Sequence, residues 1–248
     1  MRAQPAIVAL VFLAVGAWGQ LPGPPSGWRV GLPPSPKAGA LIDLTGYWVS
    51  IGPEELRFRM FTPPKSDFAG IPLDADGTKL ANAWDPATDE ASGEQCKAYG
   101  APAIMGVPGR FHITWDNDAT LKIETEAGKQ TRLLHFNAAP PQTEAPSWQG
   151  YSVAAWDPAL KHGMQGGSLK VTTANLRRGY LHRNGVPYSG KTTVTEYYDL
   201  VHEPDGFVLV INTIVDDPVY LTDRFRTSTN LRKQRDASGW NPSACSAR

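Results

Sequence analysis

The sequence has no long hydrophobic run. Its most apolar stretch, AIVALVFLAVGA at residues 6–17, falls short of the roughly 18 or more residues of a membrane-spanning helix. It has no excess charge either: 24 Lys and Arg stand against 24 Asp and Glu, for a formal net charge of zero. A balanced chain without like-charge blocks carries no electrostatic footprint for nucleic acid or for an anionic membrane surface. Cysteine is scarce, with only Cys96 and Cys245, and neither sits in a C-x-x-C pair or beside a histidine at ligand spacing. The five histidines form no H-x-H or H-E-x-x-H pattern, so no metal site is expected. Gly-Tyr-Ser at 150–152 is not a nucleophile elbow, because G-x-S-x-G is broken at Ala154. Asp74-x-Asp76-Gly77 fails the calcium-loop spacing and reads as a turn leading into a short helix. No cofactor fingerprint is present, and no cofactor is expected.

Arg2, the apolar residues 6–17 and the small-x-small triplet Ala17-Trp18-Gly19 compose a signal peptide over residues 1–19, leaving Gln20 first. The expected product is exported, periplasmic or secreted, with no stable membrane span after cleavage and no nucleic-acid partner. Export permits a disulfide. Cys245, however, lies in a tail, SGWNPSACSAR, that reads as frayed, so two separate thiols are expected and a bridge is left open.

Residues 20–40 are Pro- and Gly-rich and read as an extended arm. Residues 41–235 follow as one all-β domain, interrupted at 62–109 by an irregular insertion with short helices near 78–84 and 89–98, the second capped by Asp89. A flexible tail, 236–248, closes the chain. Strands are predicted in LTGYWVSI, ELRFRMF, RFHITW, TLKIET, TRLLHF, WQGYSVAAW, SLKVTTA, KTTVTEYYDLV, FVLVINTIV and RFRTSTNLRK. In RFHITW, Phe111, Ile113 and Trp115 alternate with His112 and Thr114, the period of a half-buried strand. Consecutive hairpins of this kind predict an antiparallel up-and-down barrel, since closure removes the sheet edges.

Gly46-x-Trp48 at the start of the first strand resembles the opening motif of lipocalins and wider calycin barrels. The resemblance implies that Trp48 plugs the closed end and that an arginine of the last strand, Arg226 or Arg232, covers it by a cation–π contact. A second resemblance spans most of the mature chain. WDPATDEASGEQCKAYGAPAIMGVPGRFHI (84–113) and the run from PSWQGYSVAAW to VDDPVYL are similar to a large group of exported bacterial proteins of unknown function. The matching positions are Trp148, Gly150, Tyr151, Ser152, Thr195, Glu196, Asp217, Pro218 and Tyr220. Tyr151 stands where relatives often carry His, and DPALKHGMQGG replaces a tighter turn.

Glu196 lies mid-strand on the face of Val194 and Tyr198. A carboxylate among apolar neighbours is either buried and paired or lines a cavity. The candidate ligand-binding residues are Glu196, Tyr198, Tyr151, His112 and His135; Trp48, Gly46 and Arg226 are structural candidates. Two functions follow as expectations. One is a barrel that holds a small apolar or amphipathic ligand in its open end, with 62–109 as a partial lid. The other is an enzyme using Glu196 in the barrel mouth, with Tyr151, His112 or His135. A structural cell-envelope protein is a third reading, suggested by the Pro-rich arm.

Overall fold

The computed structural model describes residues 35–52, 63–68, 70–136, 139, 145–158 and 166–247. The signal-peptide segment, most of the arm and the predicted strand ELRFRMF lie outside them. Eleven strands are described: β1 (Gly46–Ser50), β2 (Arg110–Asn117), β3 (Thr120–Thr125), β4 (Thr131–Phe136), β5 (Tyr151–Pro158), β6 (Gly167–Ala174), β7 (Gly179–His182), β8 (Val186–Tyr188), β9 (Thr193–Glu203), β10 (Gly206–Asp216) and β11 (Phe225–Lys233). The helices are short: α1 (Ala75–Ala83), α2 (Pro86–Ala91), a 3₁₀ turn (Lys97–Tyr99) and α3 (Ala101–Ile104).

Nine strands close into an all-β barrel in the order β1-β11-β10-β9-β6-β5-β4-β3-β2. Pairing is antiparallel at every seam except one. β4 and β5 run parallel, with Leu134 opposite Ser152 and Phe136 opposite Ala154. A parallel seam needs a longer connection than a tight hairpin, and the separation of Phe136 from Tyr151 in sequence allows one. β7 and β8 leave the barrel as a separate hairpin, so β6 pairs with β9.

Alternation sets the two faces. In β4, Arg132, Leu134 and Phe136 are buried while Thr131 and Leu133 are exposed. Trp48, Phe111, Ile113, Ile123, Leu169 and Leu231 fill the interior with residues from five strands. Each large apolar side chain buried in this way contributes about 1.5–3 kcal/mol. A second apolar cluster, with Leu181, Val186, Tyr188, Val194, Val215 and Phe225, lies where β9 begins and β10 ends. There the β7–β8 hairpin stoppers the barrel mouth.

The last residues of the arm and the C-terminal tail are more tightly held than the sequence suggests. Trp156 donates its indole N–H to Pro36 O at 2.8 Å, and Lys37 N donates to Asp118 O at 3.1 Å. The tail expected to be flexible is stitched down. Trp240 packs edge-on to Tyr47, Ser243 N donates to Glu126 O, and Cys245 is bonded to Cys96 with Cα atoms 5.1 Å apart. The separate thiols expected from the frayed look of the tail are therefore a disulfide. Its partner turn, 126–130, offers backbone acceptors that give the tail a defined course.

Candidate functional site

Glu196 and Tyr198 point into the barrel from β9, and both are fully buried. Arg132 reaches Glu196 from β4 in a two-point pair, Nη1 to Oε1 at 3.0 Å and Nη2 to Oε2 at 2.6 Å. The Tyr198 hydroxyl donates to Glu196 Oε1 at 3.3 Å. Arg132 Nη2 also donates to Thr173 Oγ1 at 3.4 Å, and Thr173 shares a 2.8 Å hydrogen bond with Ser152. Burial opposes the charge on Arg132, but the Glu196 carboxylate beside it holds the guanidinium above its ordinary value. Burial, then the Glu196 charge, pushes the Tyr198 phenol up. Glu196 is thus bound on both oxygens to a fixed cation in the barrel core, where it lines none of the described cavities. This is an internal clamp across β4, β6 and β9, and it gives no support to acid–base work by Glu196 in the barrel mouth.

The other three candidates do not join it. His112, on the outward face of β2, stacks on Tyr47 with centroids 4.1 Å apart and lies 3.2 Å from Glu124 Oε2. His135 is on the outward face of β4, stacked on Tyr151 of β5 at 4.7 Å. The period of two that places Glu196 inside places these rings outside.

Trp48 is wholly buried, and its indole N–H donates to Leu44 O at 2.9 Å. The cation over its ring is Lys233, with Nζ 5.2 Å from the centroid. Arg226 is exposed at the opposite end of β11 and does not cover it, because Trp48 pairs in register with Lys233. Gly46 opens β1, with Lys233 Cε beside it.

The barrel mouth holds little space. A cavity of about 40 Å³ remains between the α3 segment, the end of the β7–β8 hairpin and the inward Thr213, Thr227 and Thr229. The mouth is large enough for a few waters at most.

A larger opening lies outside the barrel. A groove of about 210 Å³ runs between α1 and the β7–β8 hairpin, lined by Leu80, Lys97, Arg178, Gly179, Tyr180, Gly185, Pro187, Tyr188 and Tyr220. Local rules build each wall. Asp74 caps α1 by accepting from Gly77 N at 2.7 Å. Asp74 N in turn donates to Tyr220 O at 2.9 Å, so the helix that carries Leu80 is tied to the loop that carries Tyr220. Asp217 holds that loop from beneath. It accepts from Ser189 Oγ at 2.9 Å, Thr192 Oγ1 at 2.9 Å and Val219 N at 2.8 Å. Gly185 closes the β7–β8 turn at φ +83°, and the Trp84 ring occupies the space a side chain would need. Gly179 is likewise bare, because the Tyr188 hydroxyl lies where its Cβ would stand.

One flank of the groove is a charge network. Lys97 Nζ meets Asp89 Oδ1 and Glu94 Oε2, each at 2.7 Å. The Tyr180 hydroxyl donates to Asp89 Oδ2 at 2.8 Å, and Lys97 lies 5.5 Å over the Tyr180 ring. Arg177 pairs with Glu94. Burial alone would push Lys97 down, but its bonds to Asp89 and Glu94 outweigh that and raise it. Burial first, and the bond to Asp89 second, push Tyr180 up to about 12. Asp89 was expected to cap a helix over 89–98. It sits instead inside α2, whose cap is Asp85, and is buried against Lys97 and Tyr180.

No family model, curated protein or solved structure matches the chain.

Proposed function

We propose that this is an exported binding protein that takes a small amphipathic ligand in the groove beside the β7–β8 hairpin, not in the barrel lumen. The observation that carries the reading is the contrast in space. The lumen is corked and retains about 40 Å³, whereas the outer groove keeps about 210 Å³ between tyrosine faces and cations. A concave, mostly apolar wall with a few fixed polar groups is the common form of a small-ligand site. The apolar residues 6–17 support export, as does the Cys96–Cys245 bridge, which suits an oxidising compartment. The similarity to exported bacterial proteins noted above points the same way.

Native mass spectrometry of protein isolated from the cells that make it tests this reading. A small-molecule adduct on the natural chain that disappears in Leu80→Glu is the expected result. An adduct that survives Leu80→Glu, or a bare mass throughout, would overturn it.

A further inference from the structure

We propose that the groove selects a small organic anion with a planar apolar body, and that Arg178 is the residue that selects its charge. This rests on the reading of the groove as a ligand site and adds the chemical class of the ligand.

The charges bonded around the groove do not cancel. Asp89 is committed to Lys97 and to the Tyr180 hydroxyl, and Glu94 is committed to Lys97 and Arg177. Two carboxylates thus face three cations once Arg178 is counted. Arg178 is exposed on the groove wall and makes no ion pair among the described residues; Glu94 feels its charge only at longer range. No carboxylate lines the groove itself. A cationic ligand would meet this surplus positive charge with nothing to pair it.

Hydrogen-bonding capacity points the same way. The Tyr180 hydroxyl already donates to Asp89. The Tyr188 hydroxyl is wholly buried behind the groove, packed against Gly100 and Gly179, and offers a ligand nothing. The group left to meet a ligand is the Arg178 guanidinium, a fork of donors that suits a carboxylate, sulfonate or phosphate ester. The accessible part of the remaining wall is apolar: the half-buried Tyr180 and Tyr220, and Leu80, the last 47% exposed. Such faces take one or two rings, and an exposed Leu at the rim extends the apolar contact.

A matched pair of fluorescent probes tests the inference: 8-anilinonaphthalene-1-sulfonate and N-phenyl-1-naphthylamine, which share a skeleton and differ by the sulfonate. The full mature chain should bind the anion about tenfold more tightly than the neutral probe, the scale of one charge-assisted hydrogen bond. Arg178→Met should remove that preference and leave the neutral probe unchanged. Arg226→Met, an exposed arginine at the start of β11, should change neither. Leu80→Glu should weaken both probes. Equal affinities for the two probes, or a preference that survives Arg178→Met, would overturn the anion inference while leaving the groove reading intact. Binding of both probes unaffected by Leu80→Glu would overturn the groove reading with it.

Discussion

Arg132 and Glu196 face each other across the barrel interior, 64 positions apart in sequence, joined at two points and fully withdrawn from water. Their pairing ties β4 to β9 through the core, and Tyr198 and Thr173 complete the bonding. A charge pair in this setting gains strong attraction but loses hydration, so its net contribution is small while the cost of breaking it is large.

Removing one partner leaves the other charge buried and alone. Glu196→Gln or Arg132→Met should each cost about 3–5 kcal/mol, whereas the double variant Arg132→Met/Glu196→Leu should recover most of that loss. Urea unfolding of the three variants measures it. A mild cost for each single variant would show that water reaches the pair.

The Cys96–Cys245 bridge closes a loop of 149 positions and anchors the turn that carries Lys97. Replacing both cysteines by serine should lower stability by about 2–4 kcal/mol. It should also raise hydrogen exchange at the amides of Asn241 and Ser243, which bond to Glu126. Mass-resolved exchange would read both effects; unchanged protection of the tail would mean that its hydrogen bonds hold it without the bridge.

Three of the eight tyrosines should resist ionisation. Tyr188 and Tyr198 are pushed up chiefly by burial, and Tyr180 reaches about 12. An unfolded tyrosine loses its proton near about pH 10, so the folded state holds more protons above that point. The stability tied to protonated Tyr180 is whole below about pH 10 and is lost as pH rises through about 12. Absorbance at 295 nm should rise in two phases, the second coinciding with unfolding and shrinking in Tyr198→Phe. A single phase near pH 10 would contradict the burial.

Gly185→Ala should cost about 1–3 kcal/mol, because φ +83° is strained for any side chain and Trp84 fills the space besides. Thermal unfolding measures the cost, and the tryptophan emission should shift as Trp84 is displaced. An unchanged midpoint would place the turn elsewhere.

The barrel was legible because its strands keep a clean period of two. The alternation of TLKIET and TRLLHF fixes both the faces and the hairpin between them. The same alternation puts Arg132 on the face of Leu134 and Phe136, so the inward arginine is legible in the pattern of β4. The parallel seam at β4–β5 was not legible, since it depends on where a long connection returns. Nor was the groove. Its walls come from 80, 97, 178–188 and 220, brought together by the Asp217 bonds and the disulfide, which no local pattern encodes. The hairpin β7–β8 is short and partly Gly-Pro, and reads as loop until it is seen sealing the mouth.

The most direct measurement is a ¹⁵N–¹H correlation titration of the mature chain with 8-anilinonaphthalene-1-sulfonate. The account predicts shifts concentrated at Leu80, Lys97, Gly179, Tyr180, Gly185 and Tyr220, with the inward residues Ile211, Thr213 and Leu231 unmoved. Shifts centred on those inward residues, with the groove silent, would mean that the barrel opens to ligand after all and would contradict it.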